Sequence, residues 1–367
     1  MKKLIALICA VALLVGLAVS PAMAEDGKAL KVLIITSTGV DDGGFNQDCY
    51  AGMTAFAANH PDCTLTDVKE PDMAELIPTV EKLVGDFDVL VLPGFNFGAI
   101  GDIVLANPDK YFLVVDTAIQ DSEGNPVSAD NVFTMTYKEQ EGGFLAGVAA
   151  ALTSKTGKVA VITGMAFPSN VSYQYGFMSG VNYANAKYGT SVTCPEISSF
   201  AGTDLAGQNV GGNYVGSFSD VTTGKLVAET LIGEGCDVLF AAAGESGNGV
   251  LTAVKEADGV YFIGCDVDQY DDGAKGDGNV VLTSALKVMH LDVARQLDAI
   301  YHGTFVGQDA ILGADTESTG FVSAEGRQQL SEDALAKLAE CYELLEKGEI
   351  IPASSAQYTP TDFPGLN

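Results

Sequence analysis

The chain has 367 residues, 47% of them hydrophobic and 18% charged. It can therefore bury substantial cores and has the length for about two domains. Its formal charge of −29 repels nucleic acid and anionic membrane surfaces, and with Arg295 and Arg327 as the only arginines it has few of the guanidinium forks that usually grip carboxylates and phosphates, so the expected ligand is neutral or cationic.

The chain opens with Lys2 and Lys3, then an apolar run from Leu4 to Val19, then small residues at Ala22 and Ala24. This three-part pattern predicts a secretory signal at residues 1–24, cleaved after Ala24. The run is short for a membrane span of about 20 residues. Cys9 lies inside it, so Cys9 does not serve as a lipidated first residue. No later run is long enough to cross a bilayer. The predicted mature protein is exported and is periplasmic, cell-surface or secreted. Six cysteines remain in it: Cys49, Cys63, Cys194, Cys236, Cys265 and Cys341. None has the paired short spacing of a zinc site. Export permits disulfides, with Cys49 and Cys63 the pair most open to bridging. Cys194, Cys236 and Cys265 sit in or beside apolar runs, where a buried free thiol is the plain reading.

Behind the leader, "KVLIITS", "TLTDVKE", "VLVLPGF", "YFLVVDT" and "VFTMTY" form one series of short apolar runs. A second series, "KVAVITG", "VTCPEIS", "VLFAAAG" and "VYFIGCD", is followed by "VVLTSAL". Helical stretches are predicted between them at 46–59, 73–84, 139–154, 172–188, 220–235 and 247–257. This alternation predicts β-α-β units and parallel sheets covered on both faces. A single sheet of ten strands would be unusually large, so two lobes of five or six strands are expected. Near the end, "SEDALAKLAECYELLEKGEI" predicts a helix capped by Ser331 and stopped at Gly348, with Leu335, Leu338, Tyr342 and Leu345 as its packing stripe.

In open parallel sheets, ligands sit beyond the carboxyl ends of the strands, where loops diverge and helix N-termini point inward. The first strand is followed by Asp41, Asp42, Gly43, Gly44, Phe45 and Asn46. Later strands run into Gly94, Phe95 and Asn96, into Asp116, into Met165, Ala166 and Phe167, into Glu245 and Ser246, and into Asp266. The run "LTSALK" ends in Lys287. Carboxylates, amides and rings thus collect at one edge, a composition suited to a flat, hydroxylated molecule. Each also has a plain structural role open to it. Asp42 and Asp116 could equally cap helices. Asp266 could belong to an acidic turn, although the spacing there does not match an EF-hand. Lys287 starts a helix, where the dipole disfavours a cation, so carboxylate neighbours are expected around it. "GESGN" lacks the closing glycine of a nucleophile elbow, and "GTDLAGQN" lacks the P-loop lysine. His60, His290 and His302 show no partner at metal-ligand or triad spacing. No catalytic residue, metal or cofactor is assigned.

Five blocks in order carry a family resemblance: "DDGGFNQDCYAGM", "ANPDKYFLVVDT", "EQEGGFLAGVAAALTSKTGKVAVITG", "GSFSDVTTGKLVAETLIGEGCDVLFAAAGESGNGV" and "FIGCDVDQ…VLTSALK". They resemble the basic membrane protein family of ABC-transporter substrate-binding proteins, whose members include purine nucleoside receptors. The resemblance implies an α/β, type I periplasmic-binding fold, with two doubly wound parallel-sheet lobes joined by a three-crossover hinge. Residues 25–137 plus about 270–318 would form the N-terminal lobe, and 138–269 plus about 319–367 the C-terminal lobe. Phe45 and Phe218 would sandwich a purine base, Asp42 and Asn46 would bond its edge, and Asp116 would add acceptors. Gly244 would allow close backbone approach, while Asp266 and Lys287 would hold ribose hydroxyls. The implied function is capture of a neutral purine nucleoside by hinge closure and its delivery to an ABC permease by a monomer that binds no nucleic acid. A receptor for a free pentose or another small neutral solute, and a nucleoside-sensing surface protein, are the alternatives. Gly44 stands where relatives commonly carry serine.

Overall fold

Short β-branched runs that alternate with helices leave the inner strands of each sheet buried on both faces. In the computed structural model, which describes residues 27–355, the chain starts with β1 (Lys31–Thr36), α1 (Phe45–Asn59), β2 (Thr64–Lys69) and α2 (Leu76–Leu83). It continues through β3 (Val89–Pro93), α3 (Gly101–Ala106), β4 (Tyr111–Val115) and β5 (Val132–Tyr137). Next come α4 (Glu139–Thr153), β6 (Val159–Thr163), α5 (Pro168–Tyr188) and a hairpin of β7 (Gly202–Thr203) and β8 (Asn209–Gly211). Then follow α6 (Val221–Gly233), β9 (Val238–Ala242), α7 (Gly247–Glu256), β10 (Tyr261–Asp266), the short pair β11 (Ala274–Lys275) and β12 (Gly278–Asn279), and β13 (Val281–Lys287). The chain ends through α8 (Met289–Tyr301), β14 (Gln308–Leu312), β15 (Thr319–Phe321) and α9 (Glu332–Glu346). The predicted signal at 1–24 lies outside the described residues.

Two separate sheets result, as the alternation predicts. The first is six-stranded, in the order β14-β5-β4-β3-β1-β2, and the second is five-stranded, β15-β13-β10-β9-β6. All pairings within them are parallel except that of β13 with β15. Side chains alternate faces along each strand, so each sheet has two apolar layers. Val32 and Ile34 pack with Met53 of α1 and Met289 and Val293 of α8, while Leu33 and Ile35 pack with Leu76, Val80 and Val104 on the other face. In the second sheet, Val161, Phe240 and Ile263 meet Phe144, Phe177 and Leu338, and Ala160, Ile162 and Leu239 meet Val227, Leu231 and Val250. Helices α4 and α5 cross almost backbone to backbone. A Cβ on Gly147 would lie 2.1 Å from the Phe177 carbonyl oxygen.

Three crossovers join the lobes, after Tyr137, after Lys287 and across 313–318. They are hydrogen-bonded side by side. Lys138 N donates to the Leu312 carbonyl at 2.8 Å, and Val288 N to that of Ser318 at 2.9 Å. The buried Glu141 carboxylate ties them further, accepting from Ala314 N at 2.7 Å and Thr319 Oγ1 at 2.8 Å.

Three expectations differ from this architecture. The lobe boundary near 270 falls too early, because β13 pairs with β10 in the second sheet and the chain returns to the first lobe only at α8. The apolar character of β13 marks it as a buried strand without saying which sheet it joins. The run at 192–198 forms only a single bridge, between Thr193 and Lys158. Pro195 removes the next donor a ladder would need. Cys49 and Cys63 do not pair: the Cys49 thiol lies 3.7 Å from Met289 Sδ, and Cys63 accepts the Leu30 N–H.

Candidate functional site

In the first sheet the strand order reverses direction between β1 and β3, and the carboxyl ends of those strands open onto the second lobe. A cleft lies there, with about 780 Å³ of empty space when its opening to solvent is counted. Asp42, Phe45, Asn46, Asp116, Phe218, Gly244, Asp266 and Lys287, the eight residues predicted from sequence, all line it. Phe95, Phe167, Tyr173 and Asn170 line it too.

The corner after β1 is built by Asp42. Its Oδ1 accepts from Gly44 N and Gln47 N, and its Oδ2 from Asn46 N and Thr38 Oγ1, at 3.1–3.4 Å. A carboxylate has about four acceptor positions, so those of Asp42 are taken by the start of α1 and the Thr38 hydroxyl. From two residues before the N-cap Gly44, Asp42 thus holds the N–H groups at the start of α1, in the manner of a cap. The cap fixes Phe45 and Asn46 as the first residues of α1, half-buried and buried respectively at the cavity wall. Asn46 Nδ2 donates to Thr38 Oγ1 at 2.6 Å, and its Oδ1 has no hydrogen-bond partner among the described residues.

At the centre lies the ammonium of Lys287, 2% exposed. It pairs with Asp116 and, at 3.0 Å, with Glu139 Oε1, both nearly buried. Among the described residues, Lys287 is the only partner of Asp116 Oδ1 and Glu139 Oε1. The rings of Phe45 and Tyr137 each stand 5.0 Å from the ammonium, adding cation–π attraction. Burial works against the lysine's charge, but Asp116, Glu139 and Asp266 together outweigh it and hold the pKa above the ordinary lysine range. Burial drives Glu139 up to about 7, with Lys287 pulling down and Asp116 pushing up. For the same reasons in the same order, Asp266 sits at about 6. The carboxylate neighbours expected for Lys287 are therefore present. Glu139 is the one sequence reasoning missed. Its available signal was its place at a strand-to-helix junction directly after "VFTMTY".

Asp116 and Asp266 share a further property. They follow β4 and end β10, in opposite lobes, and their φ values are +70° and +69°. This left-handed conformation costs a non-glycine residue roughly 1–3 kcal/mol and is held only where the surroundings enforce it. In both lobes it turns a carboxylate off the strand end into the cleft. Asp266 Oδ1 accepts the Tyr173 hydroxyl at 3.3 Å, and Oδ2 has no partner among the described residues. A Cβ on Gly44 would come 3.7 Å from that oxygen, so a serine here would put a hydroxyl beside it. With glycine, the acceptor stays open.

The opposite wall is aromatic. Phe218 packs on Phe167 with ring centroids 5.8 Å apart, and Phe167 packs on Phe95 of the first lobe at 5.4 Å. The row spans the cleft. Gly164, at the end of β6, makes room for it, since a Cβ there would lie 2.3 Å from the Phe218 ring. Ser246 N donates to the Phe218 carbonyl at 3.0 Å and so pins the Phe218 loop to the turn at Gly244, where φ is +54°. Phe95 and Phe167 stood at strand ends in the sequence, but nothing there showed that they would meet across the cleft. The cavity thus offers ring faces, open carboxylate and amide acceptors, and one fully paired cation. It can bind a planar, donor-rich, uncharged molecule.

Comparisons with known proteins agree with this geometry. The family described as "Bmp: ABC transporter substrate-binding protein PnrA-like" matches residues 29–197 and 208–353. The chain is 29% identical over 347 residues to a CD4+ T-cell-stimulating antigen of Listeria monocytogenes, covering 89% of this chain and 88% of that one. It is 29% identical over 333 residues to the ABC transporter nucleoside-binding protein BmpA of Lactococcus lactis subsp. cremoris, covering 84% and 87%. Among solved structures, an ABC transporter solute-binding protein from Aeropyrum pernix K1 superposes with a TM-score of 0.75 at 22% identity, covering 89% of this chain and 94% of that one. That likeness shows the fold, the type I periplasmic-binding architecture.

Proposed function

The chain belongs to the Bmp family of PnrA-like ABC transporter substrate-binding proteins, and from that premise we propose that it captures a neutral purine nucleoside by hinge closure and hands it to an ABC permease. The observation that carries the reading is the division of the cavity. Rings from both lobes flank one part, and carboxylates of Asp116 and Asp266 surround the buried Lys287 in another. A base needs the first and a ribose diol the second. The nucleoside-binding relative in Lactococcus lactis supports the same class.

In this reading Phe45 and Phe218 stack on the base, and Asn46 Oδ1 accepts from its edge. Asp266 Oδ2 takes ribose hydroxyls beside Lys287, and Gly244 lets the backbone approach. Asp42 acts indirectly, by holding the start of α1. Binding begins on one lobe, and contacts from the other select the closed form. Export follows from the predicted leader, and no helix among the described residues is long and apolar enough to cross a membrane. The protein acts as a monomeric receptor that returns its ligand unaltered, not as an enzyme.

Calorimetry with inosine, hypoxanthine and ribose tests the proposal. Inosine is expected to bind far more tightly than either part alone. Ribose binding as tightly as inosine would replace the nucleoside with a free pentose, and release of hypoxanthine from bound inosine would make the protein a hydrolase.

A further inference from the structure

Helices α1 and α8 begin at the ligand cavity, pack along each other and end together on the far surface of the first lobe. Each is closed by a histidine: His60 is the C-cap of α1, and His302 is the C-cap of α8. Asp298, one turn before His302, lies between them. His60 Nε2 is 2.9 Å from Asp298 Oδ1, and His302 Nε2 is 3.7 Å from the same oxygen. The candidate donor atoms of all three side chains lie within 4.8 Å of one another. We propose that His60, Asp298 and His302 form a surface site for a divalent transition-metal ion of the zinc type, which clips the C-terminal ends of α1 and α8 together.

Four observations support the site. Ligand atoms at about 2.1 Å from a tetrahedral zinc stand roughly 3.4 Å apart, and the spacings of 2.9 and 3.7 Å bracket that value. Two imidazoles with one carboxylate suit zinc, nickel or copper rather than the hard, oxygen-seeking calcium and magnesium. The field is favourable to a cation: two helix C-termini converge, each carrying partial negative charge, on a chain of net charge −29. Finally, the His60 ring is held in place. It lies 4.6 Å from the Phe56 ring and 4.0 Å from that of Tyr301, whose hydroxyl donates to Asp62 at 3.4 Å. Such packing orients a ligand before the ion arrives.

Three protein ligands leave a fourth position for water. Asp298 and His302 are exposed, so the ion exchanges readily with the medium. Because His60 and Asp298 are 238 residues apart in sequence, the ion would add a link between two distant segments that packing and side-chain hydrogen bonds already hold together. Among the chain's three histidines, two meet at this point. Nothing in the sequence brings His60 to Asp298 and His302; the packing of α1 on α8 does.

The test uses the mature protein, stripped with a chelator and titrated calorimetrically with zinc chloride. One ion per chain is expected, with a rise in melting temperature. His302→Gln removes an exposed ligand without opening the core, and is expected to weaken zinc binding by at least about tenfold while leaving metal-free stability unchanged. Asp298→Asn should do the same. Absence of zinc uptake, undiminished uptake in both variants, or equal affinity for calcium would each overturn the proposal. The last would reduce it to attraction by an acidic surface.

Discussion

Asp266→Asn isolates one acceptor of the proposed ribose site with little change of shape. Asparagine tolerates the left-handed backbone that Asp266 adopts at φ +69°, and its amide can still accept the Tyr173 hydroxyl. What disappears is the negative charge facing the cavity. Hydrogen bonds to a charged group are worth about 1.5–3 kcal/mol, so inosine affinity should fall roughly 10- to 150-fold, whereas hypoxanthine, which has no hydroxyls to offer, should be little affected. The pH dependence provides a second, independent readout. Burial raises Asp266 to about 6, and the ligand's hydroxyls favour the ionised form. Affinity should therefore be full above that pH and fall about tenfold for each pH unit below it, with proton release on binding in the acidic range. Calorimetry from pH 4.5 to 7.5, in buffers of different ionisation enthalpy, measures both effects. The variant should give a flat profile. A wild-type profile that stays flat through pH 6, or equal losses for inosine and hypoxanthine, would refute the assignment of Asp266 to the sugar.

Removing a stacking face, as in Phe45→Ala or Phe218→Ala, should weaken inosine binding by about 1–3 kcal/mol each, read by calorimetry, while a tyrosine at either position keeps most of the affinity. Lys287→Met leaves Asp116 and Glu139 buried without their cation; it should lower unfolding free energy by about 3–5 kcal/mol in urea, and a loss below about 1 kcal/mol would contradict the central role of that ammonium. Glu139 titrates at about 7 in the folded chain, above its ordinary 4.5, so its contribution to stability is fully present below about pH 4.5 and is lost as pH rises through 7. Glu139→Gln should remove that decline, shown by urea unfolding at pH 5 and pH 8.

Sequence and tertiary structure contributed different things. Composition and alternating apolar runs by themselves determined two parallel-sheet lobes, because a strand buried on both faces must be apolar throughout and must be separated from the next by a covering helix. Strand-end position was enough to mark Asp42, Phe45, Asp116, Asp266 and Lys287, since parallel sheets send their loops to one edge. Several decisions belong to the tertiary structure because they depend on residues far apart in the chain. Strand β13 joins the second sheet, although its own residues would suit either. Phe95 and Phe167 form one row only because two lobes face each other, and Glu139 becomes an uncommonly basic carboxylate because the fold buries it, beside Asp116, by more than Lys287 offsets. Local sequence specifies which groups are present and how each segment folds. Burial, pairing and the resulting charge states are properties of the assembled chain, set by neighbours that the fold brings in from elsewhere, as Lys287 is brought to Asp116 and Glu139.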